Sequence, residues 1–181
     1  MTPRESEIIG LIRKEVKPAL GCTEPIAVAL AVAKAMEILE DRCPSCGEGW
    51  RYSENYAIRV EVSGNILKNG MGVGIPGTGM VGLPIAAALG AVCGKSSYGL
   101  EVLKDLNEVS IERAKELSSQ KLVKISLADT TKKLYIKAVV EVEKDGTQQA
   151  SCVIEDDHDN IVETWYNQEL LTSSYKESKS E

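Results

Sequence analysis

The segment Pro25-Ile-Ala-Val-Ala-Leu-Ala-Val-Ala-Lys-Ala35 is apolar at nearly every position, and Lys34 carries its one charge. A helix that is apolar on all sides is normally buried in a core rather than half-exposed at the surface. Pro25 suits the first helical turn, where its missing N–H would have had no intrahelical acceptor, and Thr23 is placed to cap the helix. The segment therefore predicts a central buried helix that starts near Thr23.

The turn that leads into this helix, Leu20-Gly-Cys-Thr-Glu-Pro25, places a thiol and a carboxylate at the helix start. Cys22 would face the unpaired N–H groups and the positive end of the helix dipole, which favour thiolate over thiol. Glu24 either complements the dipole or transfers a proton to or from a bound substrate. The residues alone leave open that Cys22 is a small buried thiol that only fills space.

Composition limits the class of protein. The chain has 181 residues and 43% hydrophobic content, which is enough for one sizeable core. Its net charge of -6 disfavours nucleic acid as a partner, because phosphate binding needs a basic surface. The sequence has no signal-peptide pattern, no run long enough to span a membrane, and an odd number of cysteines, five. We therefore expect a cytoplasmic protein with reduced thiols and no membrane partner.

Hydrophobic spacing predicts three further helices, over Ser6 to Lys17, Ile85 to Val92 and Gly99 to Gln120, the last with Val109 on its core face. Alternating apolar residues predict strands over Tyr56 to Val62, Leu122 to Leu127, Leu134 to Val142 and Ile161 to Tyr166. Helices packed on an antiparallel sheet, with a glycine-rich loop between a strand and a helix, make an α+β fold. We expect one domain over residues 1–170 and a polar, frayed tail over 171–181.

A hairpin turn is predicted at Lys144-Asp145-Gly146. A three-residue loop with Gly146 in the left-handed conformation would pair Ile136 with Ile154, Ala138 with Cys152 and Val140 with Ala150. A two-residue loop would set Val140 against Ser151, so the apolar pattern favours the longer loop. Cys152 is then inert packing in the core.

Six glycines lie between Gly70 and Gly82, a density that implies positive φ or close backbone approach. Gly72-Val-Gly-Ile-Pro-Gly77 formally matches a dinucleotide-binding fingerprint, but Pro76 interrupts it and the next helix starts too late. A loop whose N–H groups form a nest for a small anion, such as a substrate carboxylate, fits better. A structural turn with no ligand is the alternative.

Cys43 and Cys46 have the spacing of a metal or redox pair. A structural zinc site needs two further ligands, and no histidine lies near the pair in sequence. An unpaired loop is the favoured interpretation, with metal or redox function as the alternative. Cys93, at the end of a predicted helix, is expected to be structural.

Two long blocks of the chain resemble the L-cysteine desulfidase family, which is related to the alpha chains of iron-sulfur serine dehydratases. The blocks are Val16-Lys-Pro-Ala-Leu-Gly-Cys-Thr-Glu-Pro25 and Leu67-Lys-Asn-Gly-Met-Gly-Val-Gly-Ile-Pro-Gly-Thr-Gly-Met-Val-Gly-Leu-Pro-Ile-Ala-Ala-Ala-Leu-Gly90, the latter followed by Gly99-Leu-Glu-Val-Leu-Lys-Asp105. His158-Asp-Asn-Ile-Val162 is similar to a third family segment. Family members are much longer, and their second half carries three cysteines that hold a [4Fe-4S] cluster.

The resemblance implies β-elimination of L-cysteine to sulfide, ammonia and pyruvate, in which cluster iron acts as Lewis acid on the leaving sulfur while a base removes the α-proton. It implies catalytic roles for Cys22 and Glu24. The implied substrate-binding residues are Thr23, Asn69, Gly77, Thr78, Gly79, His158 and Asn160. Without the resemblance, His158 would be an ordinary charged loop residue among acidic neighbours.

We therefore expect the N-terminal, substrate-side part of a desulfidase-like lyase, which needs a cluster-bearing partner and holds no metal or [4Fe-4S] cluster by itself. The chain would be a truncated member or one subunit of a split enzyme. The alternative is a non-catalytic domain that binds a small amino acid or carboxylate, or a degenerate remnant. The choice between cysteine and serine, and between a monomer and a homo-oligomer, stays open.

Overall fold

The computed structural model of the protein describes residues 23–43, 46–47, 49–53, 55–72, 74–75, 80–143 and 146–173. The predicted helix over Ser6 to Lys17 lies outside them. The helices described are α1 (Thr23–Arg42), α2 (Trp50–Ser53), α3 (Gly64–Gly70), α4 (Leu83–Cys93), a 3-10 helix (Ser96–Glu101) and α5 (Glu108–Ser119). The strands are β1 (Tyr56–Val62), β2 (Gly74–Ile75), β3 (Met80–Val81), β4 (Val123–Leu127), β5 (Tyr135–Glu143), β6 (Thr147–Glu155), β7 (Ile161–Tyr166) and β8 (Glu169–Ser173).

Six strands form one sheet in the order β4-β1-β5-β6-β7-β8, and β2 pairs with β3 separately. Neighbouring strands are antiparallel except β1 and β4, which are parallel. Helices packed on a mostly antiparallel sheet confirm the predicted α+β class. Within the ranges given above, none of the helices combines the length and the apolarity needed to cross a membrane.

Helix α1 lies at the centre of the molecule, as its apolar sequence predicts. Thirteen of its 20 residues are buried. It packs against α4 on one side and against β5 and β6 on the other. A Cβ atom at Gly90 of α4 would lie 2.4 Å from the carbonyl oxygen of Ala29 and 2.8 Å from its Cα atom. The two helix backbones therefore touch, and only glycine fits at this crossing.

The β5–β6 hairpin has the predicted register. Ile136 pairs with Ile154, Ala138 with Cys152 and Val140 with Ala150. Gly146 has a φ of 91°, the positive value that the three-residue loop requires. The side chain of Cys152 is fully buried, which confirms its predicted place in the core.

The predicted long helix over Gly99 to Gln120 is wrong. A 3-10 helix precedes α5, which begins only at Glu108 because Asn107 caps it. The Asn107 side-chain oxygen accepts from the Ser110 backbone N–H at 2.9 Å, and the Ser110 hydroxyl oxygen accepts from the Asn107 N–H at 2.9 Å. Val109 is consequently 66% exposed instead of lying in the core.

Strand β8 was not predicted either. It crosses the expected domain boundary at residue 170, so that residues 171–173 belong to the sheet rather than to a tail.

Replacing Gly90 with alanine tests the crossing of α1 and α4. The added methyl group would overlap the backbone of Ala29, so we expect Gly90→Ala to lower the free energy of unfolding by about 3 kcal/mol. Gly64 is a matched control because it also lies in a helix, and its Cβ would approach nothing closer than a Leu127 methyl carbon at 4.0 Å. Gly64→Ala should be neutral or stabilising by up to about 1 kcal/mol. Urea unfolding measures both, and equal stability of the two variants would contradict the crossing.

Candidate functional site

The N-terminal turn of α1 presents two of the predicted site residues, Thr23 and Glu24, both half-buried. Thr23 was predicted to cap the helix from outside, but it is already the first residue of α1. Pro25 follows within the first turn and is buried, so the chain enters the core immediately after Glu24. A carboxylate at this end of the helix is stabilised by the unpaired N–H groups and the helix dipole.

His158 lies in the loop between β6 and β7, and the fold brings it to Glu24. Its Nε2 atom is 3.9 Å from Oε2 of Glu24, with 26% and 24% of the respective side chains exposed. The separation is that of an ion pair when the imidazole is protonated, and it is too long for a direct hydrogen bond. Both groups are therefore positioned together and remain accessible to a ligand.

The loop that carries His158 is closed by Asn160. The Asn160 side-chain N–H donates to the backbone carbonyl oxygen of Glu155 at 2.8 Å, and the Glu155 N–H donates to the Asn160 carbonyl oxygen at 3.2 Å. The Asp157 N–H also donates to the Glu155 carbonyl oxygen, at 2.8 Å. The Asn160 side chain thus shapes the loop through its N–H, whereas its predicted contact with substrate stays a prediction.

Lys132 forms ion pairs with two residues at the start of the same loop, a role that the sequence did not indicate. Its ammonium group lies 3.4 Å from the carboxylate of Glu155, which is 5% exposed, and 3.2 Å from that of Asp156. Asp156 has a φ of 72°, a left-handed conformation that is strained for a non-glycine residue. The contact with Lys132 stabilises this strained position next to His158.

Of the remaining predicted site residues only Asn69 is described, and it makes no hydrogen bond or ion pair with Glu24 or His158. Asn69 is exposed near the end of α3, a helix that packs against α1. Cys22, Gly77, Thr78 and Gly79 lie outside the described residues. Gly82, at the end of the glycine-rich segment, has a φ of 100°, and its Cβ would lie 3.0 Å from the Met71 carbonyl oxygen. Gly82 therefore has both features that the density of glycines predicted, a positive φ and a close approach to other backbone.

Four cysteines lie within the described residues, and they do not form a cluster site. Cys43 and Cys46 are buried near the end of α1, Cys93 ends α4, and Cys152 lies in the sheet. Across the described ranges, no group of three or more histidine, cysteine, aspartate or glutamate side chains is arranged to hold a metal ion. The donor set of these residues does not fit a [4Fe-4S] cluster.

Burial also makes two of these thiols poor nucleophiles. It raises the pKa of Cys152 to about 12, and it raises the pKa of Cys93 as well. The thiolate, which is the reactive form, is therefore scarce at both positions near neutral pH.

The chain is thus an α+β domain with a carboxylate–imidazole pair, Glu24 and His158, at the start of a buried helix. The chain is 49% identical over 168 residues to a "UPF0597 protein" of Parabacteroides distasonis, an alignment that covers 93% of this chain and 36% of the relative. It is 48% identical over 183 residues to a "UPF0597 protein" of Bacteroides fragilis, with 100% of this chain and 39% of the relative covered. A "UPF0597 protein" of Shewanella pealeana is 47% identical over 151 residues, with 83% of this chain and 32% of the relative covered.

The chain thus spans less than two fifths of the length of these curated relatives. Their shared name states no activity. No model of a known protein family matches the chain, and no solved structure matches it.

Alkylation tests the buried thiol. At pH 8 in the native protein, iodoacetamide should label Cys152 at least about a hundredfold more slowly than in urea, because burial suppresses the thiolate and blocks access. Cys93, which is partly exposed, should react faster than Cys152. Mass spectrometry of tryptic peptides follows each cysteine separately, and rapid native labelling of Cys152 would contradict its place in the core.

The chain has one histidine, so its imidazole NMR signals report on His158 without ambiguity. Glu24→Gln should move these signals because it removes the charge that lies 3.9 Å away. Glu108 is the matched control, since it is an exposed glutamate in the first turn of α5. Imidazole signals that are identical in wild type and Glu24→Gln would show that the two groups do not meet.

Proposed function

We propose that this chain is the substrate-side part of an L-cysteine desulfidase-like β-eliminating lyase. The observation that carries the proposal is the approach of His158 to Glu24, 3.9 Å apart at the start of α1. The two side chains come from opposite ends of the chain, and both belong to segments that resemble the family. Their meeting supports the resemblance independently of the sequence match.

The reaction needs the kind of group that this pair provides. β-Elimination removes the α-proton of L-cysteine, and the electron pair of that C–H bond forms the Cα=Cβ double bond as the Cβ–S bond breaks and sulfide leaves. The aminoacrylate then takes up water and gives ammonia and pyruvate. An imidazole can accept the α-proton, and the carboxylate of Glu24, 3.9 Å away, would attract the imidazolium that results. Cys22 remains part of the proposal as the other candidate for acid/base chemistry.

In this proposal the iron-sulfur cluster of the family is held outside this chain. The cysteines within the described residues do not fit it, and the curated relatives extend well beyond the matched region. We therefore infer that a further region or a separate subunit completes the site. The proposal also includes the cytoplasm as the compartment, which suits reduced cysteines.

Sulfide release tests the proposal. The chain is mixed anaerobically with the part of the Parabacteroides distasonis relative that lies outside the matched region, after iron-sulfur reconstitution of that part. The mixture should release sulfide from L-cysteine. His158→Gln and Glu24→Gln should each reduce the rate about a hundredfold or more, as expected for loss of a general acid/base group. Cys22→Ala tests the remaining acid/base candidate, and Glu108→Gln should leave the rate unchanged.

Binding distinguishes the competing possibility. Calorimetric titration of the isolated chain with L-cysteine and L-serine reports on substrate recognition without the partner. Binding that depends on Glu24 and His158, with no turnover in any mixture, would favour a binding or regulatory domain. Turnover that survives both substitutions would remove the pair from the mechanism.

A further inference from the structure

A groove of about 610 Å³ runs between the C-terminal half of α1 and strands β7 and β8, of which β8 is the edge strand of the sheet. It is separate from the Glu24–His158 pair. Lys34, which lines the groove, lies ten residues beyond Glu24, or about 15 Å along the helix at 1.5 Å per residue. The walls combine charged, hydroxyl and aliphatic side chains: Lys34, Glu37, Ile38, Asp41, Arg42, Ile161, Thr164, Leu171 and Thr172.

Lys34 is the unusual member of this set. It is half-buried in a helix that is otherwise buried on both sides of it, from Pro25 to Ala33 and again at Ala35 and Met36. Among the described residues it makes no hydrogen bond and no ion pair. Partial burial of an ammonium group without a partner is unfavourable, because the charge loses water and gains nothing in exchange.

The two carboxylates of the groove are already engaged elsewhere. Glu37 accepts hydrogen bonds from the backbone N–H of Ser96 at 2.8 Å and from its hydroxyl at 2.5 Å. Asp41 lies 3.6 Å from the guanidinium of Arg42. Among the described residues, Lys34 is therefore the one charged group of the groove that makes no hydrogen bond or ion pair, and its ammonium can bind a carboxylate.

A hydroxyl pair adds a donor on the opposite wall. The hydroxyl oxygens of Thr164 and Thr172 lie 2.6 Å apart, and one of the two donates to the other. The pair has two hydroxyl protons, so one proton is left to donate to a ligand. Ile38, Ile161 and Leu171 supply apolar surface beside these polar groups.

The field of Lys34 also extends beneath the groove. Cys152 lies on β6 opposite Thr164, and burial raises the pKa of its thiol, whereas the charge of Lys34 acts in the opposite sense and that of Glu37 adds to the burial effect. The charges of Lys34 and Glu37 therefore both lie within electrostatic reach of Cys152 at the junction of α1 and the sheet.

We infer that this groove is a second binding site, one that takes a small aliphatic carboxylate. The carboxylate head binds the Lys34 ammonium and accepts the spare Thr164–Thr172 hydroxyl proton, and the aliphatic tail packs on Ile38, Ile161 and Leu171. Neither the acid/base pair nor the proposed lyase activity is needed for this binding.

Titration with isocaproate tests the site, with the uncharged isocaproamide as the matched ligand. Chemical-shift mapping by NMR should show isocaproate perturbing residues of the groove, and the amide should bind about tenfold more weakly or worse, because hydrogen bonds to charged groups are the stronger ones. Lys34→Met should weaken isocaproate binding about tenfold, whereas Lys34→Arg keeps the charge and should retain binding. Lys68→Met, at an exposed lysine of α3, is the control that should change nothing.

Thr164→Val gives a second, nearly isosteric test of the hydroxyl pair and should weaken binding to a smaller extent. Equal affinity for acid and amide, equal affinity of wild type and Lys34→Met, or perturbations that lie outside the groove would each overturn the inference. Absence of any binding of isocaproate at millimolar concentration would overturn it as well. A thermal melt of each variant confirms that the loss is not one of folding.

Discussion

The contact between α1 and α4 is the constraint on which the rest of the structure depends. A helix that is apolar all round needs a neighbour on each side, and the sheet can cover only one of them. Gly90 lets α4 approach until its backbone meets that of Ala29, which closes the second side. Both helices are rich in alanine between their larger residues, so their closeness brings many atoms into contact at small separation.

The fixed position of α1 determines the geometry at its N-terminus. Glu24 lies in the first turn of a helix that cannot shift without opening the core, so its carboxylate is held against a rigid frame. His158 is carried by a loop that a hydrogen bond of Asn160 closes and that Lys132 contacts through Glu155 and Asp156. Two independently supported elements therefore meet, and the proposed acid/base chemistry requires groups that are held in this way.

Local patterns in the sequence were sufficient for much of this architecture. The β5–β6 register followed from alternation and from the position of Gly146, because one register alone places every apolar residue on the core face. The burial of α1 followed from its composition. The approach of His158 to the helix start was expected through the family resemblance, whereas the residues around His158 gave no physical signal for it.

Long-range features could not be predicted in the same way. The parallel pairing of β1 with β4 joins strands that are separated in the chain by three α-helices, a 3-10 helix and the β2–β3 pair, and no local pattern specifies it. Arg51 links two helices: it binds Glu40 through Nε at 2.7 Å and the Gly94 carbonyl oxygen at 3.0 Å. Burial alone would raise the pKa of Glu40, but the hydrogen bonds and charge of Arg51 outweigh it, and the pKa is lowered.

The start of α5 is set by the reciprocal cap of Asn107 and Ser110. The apolar spacing continues through this cap, so it did not indicate where the helix begins.

The charged residues of α1 show why a buried helix is informative about binding. Each charge on such a helix needs a partner, since few positions reach bulk water. Glu24 has His158, Glu37 has Ser96, Glu40 has Arg51 and Trp50, and Arg42 has Asp41 and Glu169. Within the part of the chain that the structure describes, Lys34 is the exception, and it lies on a groove that also holds a hydroxyl pair. Because every other charged residue of α1 has a partner, the absence of one at Lys34 suggests that a bound ligand provides it.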